Sequence, residues 1–286
     1  MSPHSAGVRR KEWRSALLPV AALVAMVFAP AYACQALEVV TLRNDTSVRQ
    51  LGFVAIDVRN GACWESSEED ATTRHPPWST FKIPHLLIAL ETGAAPSPHK
   101  LVDWDEEKRP ATNHWPTGWR QSQSLITAFK RSAAWYFQEL VPRIGVASYE
   151  KWLDRFAYGN QKVPLHRDDF WLGGPLAISA REQARFLACV ATTGCGASKF
   201  HIDVLESAAQ SDAVGQGRLY GKTGSGPLTP GKFDVAFEGW YVGYVRDSSS
   251  RPVASFALYM QASSYGSLRT FRQEAAIRFL KQLGLF

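Results

Sequence analysis

A hydroxyl is a weak nucleophile near neutral pH and needs a base within hydrogen-bond reach. A serine three residues before a lysine on a helix places both side chains on one face. Ser79/Lys82, Ser97/Lys100 and Ser148/Lys151 all have that spacing. Ser97-Pro98-His99-Lys100 reads as a polar loop, where nothing desolvates the amine. Ser148/Lys151 opens an amphipathic helix, so Lys151 reads as a solvated surface base. Ser79-Thr80-Phe81-Lys82 differs from both: Trp78 precedes it and the apolar run Ile83 to Leu90 follows. The serine would sit at a helix N-terminus, whose N–H groups can stabilise an oxyanion. Pro84 falls in the first turn, where it is tolerated. Lys82 would point into apolar surroundings, where burial lowers its pKa and keeps the amine neutral. The same spacing also describes an N-cap serine beside a snorkelling lysine.

Lys222-Thr223-Gly224 closes a candidate strand. A cation, a hydroxyl and a glycine that admits close backbone approach can meet a substrate carboxylate there, or simply make a turn. Ser132-Ala133-Ala134 lies in a helical pattern, and Tyr158-Gly159-Asn160 reads as a turn.

These segments must be held by the elements around them. Leu51 to Val58 is a strand candidate, and Asn60-Gly61 turns the chain back into Ala62-Cys63-Trp64. Ile83 to Leu90 is a buried helix candidate. Helix-period apolar residues run through Ser124 to Leu140, Ser148 to Phe156 and Ser179 to Ala191. The period then changes, and Arg218–Lys222, Phe237–Val245 and Val253–Gln261 read as strands. Ser267 to Leu285 closes the chain as an amphipathic helix with Phe271, Ala275, Phe279 and Leu283 on one face. Strands at both ends imply a split α/β (α+β) sheet domain, residues 34–93 and 213–286. A helical domain, 94–212, is inserted in it, with a ligand cleft between the two.

The 286 residues are 45% hydrophobic and 20% charged, which excludes a disordered or fibrous chain. The net charge of +6 would suit a polyanion partner, but it is unevenly placed. Arg9, Arg10, Lys11 and Arg14 precede an apolar run from Ala16 to Phe28, and Ala31-Tyr32-Ala33 follows. That order predicts a signal peptide over 1–33 and a periplasmic mature chain. Removing it drops four bases and one acid, and the charge falls to +3. No nucleic-acid partner is expected. No other apolar run approaches the length of about 20 residues that spans a membrane. Cys34 would become the first mature residue, the position of a lipid anchor, although Ala31 stands where lipidation signals carry leucine. Cys34, Cys63, Cys189 and Cys195 allow three full disulfide pairings, Cys189/Cys195 being close enough for a small loop. No Cys/His spacing suits zinc, so no metal is expected.

As an ordered set, Ser79-x-x-Lys82, Ser132-x-Ala134, Tyr158-Gly159-Asn160 and Lys222-Thr223-Gly224 resemble the serine-reactive β-lactamase and penicillin-binding superfamily. The segment Ser79-Thr80-Phe81-Lys82-Ile83-Pro84, continued by Leu90-Glu91-Thr92-Gly93, is similar to class D, the oxacillinase-type β-lactamases. Phe170-Trp171-Leu172, Leu176-x-Ile178-Ser179 and Gly239-Trp240-Tyr241-Val242-Gly243 extend the resemblance over about residues 50–286. It implies a β-lactamase/transpeptidase-like fold, with a central antiparallel sheet flanked by terminal helices. Ser79 would be the acylating nucleophile. Carbon dioxide or bicarbonate would carboxylate Lys82 into a general base, held by the indole N–H of Trp171, and no other cofactor is implied. Ser132 would relay a proton to the leaving nitrogen, assisted by Lys222. The N–H groups of Ser79 and Ser225 would form the oxyanion hole. Thr223, Gly224 and Arg269 would complete the site for a β-lactam carboxylate.

Two positions depart from the class pattern. Ala134 stands where a valine is usual, which could wet the Lys82 pocket. Ser225-Gly226 directly follows Lys222-Thr223-Gly224, where an aromatic is usual, which bears on substrate range. The expected protein is a β-lactam hydrolase, monomeric or homodimeric. A penicillin-sensing domain acylated without turnover and a peptidoglycan transpeptidase or carboxypeptidase are the alternatives. Sensors normally belong to longer membrane-spanning chains.

Overall fold

Phe53 and Ala55 point to one side of their strand and Val54 and Ile56 to the other, and all four are fully buried. A strand covered on both faces needs no polar alternation, which is why Leu51–Val58 reads as an unbroken apolar run. The computed structural model describes residues 1, 34–37, 47–214 and 217–286. In it this segment belongs to β2 (Val48–Asp57), which follows a two-residue edge strand, β1 (Gln35–Ala36). The turn at Asn60-Gly61 returns the chain into β3 (Cys63–Glu65), antiparallel to β2. β1 lies parallel to β3, joined to it by the disulfide Cys34–Cys63. A lipid thioether needs the sulfur that this disulfide occupies, so a lipid anchor at Cys34, left open by the sequence, does not fit this pairing. The second disulfide is Cys189–Cys195.

β4 (Gln210–Val214), β5 (Gly217–Pro227), β6 (Phe237–Arg246) and β7 (Pro252–Ala262) complete a seven-stranded sheet of order β1-β3-β2-β7-β6-β5-β4. Every pairing except β1/β3 is antiparallel. The helices among the described residues include α1 (Glu68–Thr72), α2 (Lys82–Glu91), α3 (Leu125–Arg131), α4 (Ala134–Ile144) and α5 (Val146–Arg155). They continue with α6 (Ala180–Thr193), α7 (Lys199–Ala209) and α8 (Tyr265–Gln282).

The C-terminal α8 covers one face of the sheet, where Phe279 meets Phe53 at 4.9 Å between ring centroids. α6 covers the other face, and Ser255 Oγ on β7 donates to Ala184 O at 2.8 Å. α6, which the sequence reading assigns to the inserted helical domain, packs on the sheet through this contact. The apolar face of α8 is also rotated from its expected position. Leu268, Ala275, Ala276, Phe279 and Leu280 are buried, while Phe271 and Leu283 are only partly so. Arg272 therefore lies inside the buried stripe. The leader expected over 1–33 lies, apart from Met1, outside the described residues. No described helix is long and apolar enough to cross a membrane.

Candidate active site

Trp78–Phe81 forms a 3₁₀ turn that leads directly into α2. Every residue of α2 from Lys82 to Leu90 is buried, so the helix runs through the protein interior and carries Lys82 with it. Lys82 Nζ donates to Ser79 Oγ at 3.0 Å, the contact that the three-residue spacing predicts. Burial pulls the amine down from its usual 10.5 to about 7. Its surroundings are aromatic: the Phe137 ring lies 5.3 Å from Nζ, and Trp171 packs on Phe81 and His85. Among the described residues no carboxylate pairs with it. Lys100 and Lys151, in the two other serine-lysine pairs, are exposed.

Ser132 is placed by a break in a helix that the apolar period would continue from Ser124 to Leu140. It adopts φ +56 at the end of α3, and Ala133 is extended before α4 begins. The left-handed residue is a common way to end a helix, and here Ser132 N–H donates to Phe129 O at 3.1 Å. The break turns the Ser132 hydroxyl to β5, where Lys222 Nζ donates to it and also to Thr223 O at 2.8 Å. Burial, followed by the charges of Lys82 and Arg272, holds the Lys222 pKa well below its ordinary value.

The strand itself touches the Ser79 turn. A Cβ on Gly224 would fall 2.8 Å from Pro77 O and 2.9 Å from both Ser79 N and Thr80 N, so only glycine lets β5 lie this close. The first N–H groups of a helical segment have no partner within it, and those of the Ser79 turn sit against this strand. Thr223 and Ser225 are half-buried beside Gly224.

Trp171 is fully buried, and its Nε1–H has no hydrogen-bond partner among the described residues. Tyr158-Gly159-Asn160 braces the loop that carries it. Asn160 Nδ2 donates to Pro175 O at 2.8 Å, and Ala177 N–H donates to Asn160 Oδ1 at 3.0 Å. Tyr158 is buried under Phe81, so this motif supports the site from behind.

Ser79, Lys82, Ser132, Lys222 and Gly224 therefore converge, with Trp171 against the Lys82 pocket. Arg269 is not tied to them: it is exposed on α8. The arginine of that helix that reaches β5 is Arg272, whose Nη1 donates to Gly224 O at 3.2 Å. Sequence reasoning missed it, although an arginine four residues after Leu268 and three before Ala275 lies in the helix's apolar stripe. It also missed His85, one turn beyond Lys82, fully buried, with Nε2 2.6 Å from Tyr149 OH.

A serine hydrogen-bonded to a buried lysine, faced by a lysine-bearing strand that bonds a second serine, is the arrangement of a penicillin-binding type of fold. The profile of the penicillin-binding protein transpeptidase domain matches residues 38–196. Beta-lactamase OXA-10 of Pseudomonas aeruginosa is 32% identical over 217 residues, 76% of this chain and 78% of that protein. The crystal structure of a class D β-lactamase from Sebaldella termitidis superposes with a TM-score of 0.73 at 27% identity, covering 83% of this chain and 92% of that one. The C-terminal domain of the Bacillus licheniformis BlaR penicillin-receptor gives 0.78 at 25% identity, covering 91% of this chain and all of that one. The chain belongs to the class D β-lactamases and is a β-lactam hydrolase.

Proposed function

We propose that the protein hydrolyses the β-lactam amide through an acyl-enzyme on Ser79, with carboxylated Lys82 as general base. The observation that carries this reading is the Lys82 pocket. A fully buried amine with a pKa of about 7 lies 3.0 Å from Ser79 Oγ, and Trp171, packed on Phe81 and His85, has an indole N–H with no partner among the described residues. Only a neutral amine can add carbon dioxide, and a carbamate oxygen is the acceptor that Trp171 Nε1–H lacks. Such a group would supply a carboxylate-like base in a dry pocket.

Lys222, Thr223 and Arg269 attract the substrate carboxylate. Ser79 Oγ attacks the lactam carbonyl as its proton leaves toward the Lys82 position, and the N–H groups of Ser79 and Ser225 stabilise the oxyanion. Ser132, hydrogen-bonded to Lys222, passes a proton to the ring nitrogen as the amide bond breaks. Water then takes the acyl group from Ser79. The two disulfides and the basic-apolar-small leader support export to the periplasm.

Incubation with a chromogenic cephalosporin, with and without bicarbonate, tests the reading. Sustained turnover that rises with bicarbonate is expected. The likeness to a penicillin-receptor domain favours one second reading, a sensor acylated without turnover. A single stoichiometric burst would select it. Acceptance of peptidoglycan peptides with no β-lactam turnover would select the transpeptidase or carboxypeptidase alternative.

A further inference from the structure

The residue before the nucleophile is held in a way that the acylation steps do not use. Trp78 has φ +50, a left-handed conformation that is costly for an aromatic residue. Its backbone N–H donates to Trp171 O at 3.0 Å. Its indole Nε1–H donates to Glu238 Oε1, also at 3.0 Å. Glu238 is buried on β6, directly opposite Gly226 of β5. Its Oε2 accepts from Tyr259 OH at 2.7 Å, and Gln261 Nε2 donates to that hydroxyl at 2.8 Å. Among the described residues no lysine or arginine pairs with this carboxylate. His75 Nδ1 is 3.8 Å from Oε2, and its ring stacks on Tyr259 at 3.7 Å.

A buried carboxylate without a cation is costly, so its position calls for a cause. The Trp78 ring provides one. A Cβ on Gly226 would fall 2.2 Å from Cη2 and Cζ2 of the ring, and one on Gly173 would fall 2.9 Å from the same Cη2. The indole fills the gap between β5 and the Trp171 loop, and its N–H ends on the cross-strand neighbour of Gly226. The bond fastens the nucleophile turn to the β5–β6 pair. Those elements carry one oxyanion donor each, Ser79 N–H on the turn and Ser225 N–H on the strand.

We infer that Glu238 is a positioning residue for the oxyanion hole. Acting through Trp78, it fixes the turn bearing Ser79 N–H against the strand bearing Ser225 N–H. The inference rests on the acyl-enzyme reading. Misplaced donors lose stabilisation of the tetrahedral oxyanion, while the neutral carbonyl of the bound substrate depends on them far less. The effect falls on acylation and kcat and spares KM.

The test compares wild type, Ser79→Ala, Glu238→Gln, Glu238→Leu and Trp78→Phe. Three quantities are measured: the rate of labelling by a fluorescent penicillin, steady-state kcat and KM for a chromogenic cephalosporin, and affinity for a boronic acid. The boronic acid forms a tetrahedral adduct on serine and places an oxygen in the hole. Gln keeps an oxygen for the indole, so Glu238→Gln should stay within about threefold of wild type. Glu238→Leu and Trp78→Phe should lose about 10- to 100-fold in labelling rate, kcat and boronate affinity, with KM within about threefold. Normal labelling and boronate affinity in both, whatever their melting temperatures, would overturn the inference. Trp78→Phe keeps a ring in the gap and so tests the point even if Glu238→Leu does not fold. If wild type is labelled no faster than Ser79→Ala, the acyl-enzyme reading itself is overturned, and the inference with it.

Discussion

Ser132 Oγ accepts a hydrogen bond from Lys222 Nζ across 90 residues of sequence. The contact exists because α3 ends in a left-handed residue at the serine itself. A helix running on through Ser132 would present the hydroxyl along a different direction, so the break is part of the site. It links the helical layer to β5 at the point where the leaving nitrogen of a lactam would be protonated.

Ser132→Gly should keep that turn, since glycine adopts positive φ freely, while Ser132→Ala removes the same hydroxyl and keeps the strain. Both variants should slow acylation by about 10²- to 10⁴-fold, the range for a lost proton-transfer group. Ser132→Gly should be more stable than Ser132→Ala by roughly 1 kcal/mol, since only glycine relieves the left-handed strain that serine and alanine share. Acylation rates and urea denaturation check the two halves independently.

Ser79→Ala should abolish labelling by a penicillin. Lys82→Ala should leave slow acylation at most and trap the adduct, which mass spectrometry of the intact protein would detect. Wild-type turnover in either variant refutes the assignment.

Carbon dioxide uptake should follow the ionisation of Lys82. An amine with a pKa of 10.5 is neutral in about one molecule per thousand at pH 7.5, whereas burial brings this one to about 7. Below that pH the amine is protonated and cannot add carbon dioxide, so the carbamate and the activity should both fall as pH drops from about 8 to about 6. Carbon-13 NMR of protein equilibrated with labelled bicarbonate reads the adduct directly. Trp171→Phe keeps the ring and removes the donor, and should raise the bicarbonate needed for half-activation about tenfold. A carbamate signal indifferent to pH and to Trp171 would contradict the proposed role of the pocket.

The two arginines of α8 should separate by experiment. Arg269→Ala should raise KM about tenfold with kcat nearly unchanged, as expected for a charge-assisted contact to a substrate carboxylate. Arg272 is buried, with its Nε unpartnered, and burial depresses its pKa. Replacing it with Met removes a buried charge that has no acidic partner among the described residues and should raise stability by about 1–3 kcal/mol. Kinetics and thermal unfolding of both variants check the contrast. A raised KM in Arg272→Met and none in Arg269→Ala would move the carboxylate contact to the buried residue.

What the sequence by itself determined was local. Ser79 and Lys82 are three residues apart at the head of a helix, and helical geometry alone puts their side chains together at 3.0 Å. The strands at the two ends were legible from their apolar runs, and the helices between them from their period, because burial imprints itself on the residues of each element. Long-range geometry was not legible. The Ser132 turn, the rotation of α8 that buries Arg272 and leaves Arg269 outside, and the choice of Cys34–Cys63 among three disulfide pairings depend on contacts between distant segments. So does the Trp78–Glu238 bond, between residues 160 positions apart. No periodicity encodes such pairs; packing of the sheet against the Ser79 turn brings them together. Local spacing brought Ser79 and Lys82 together, and tertiary packing supplied the Ser132–Lys222 contact, the approach of β5 to the Ser79 turn and the buried pocket around Lys82.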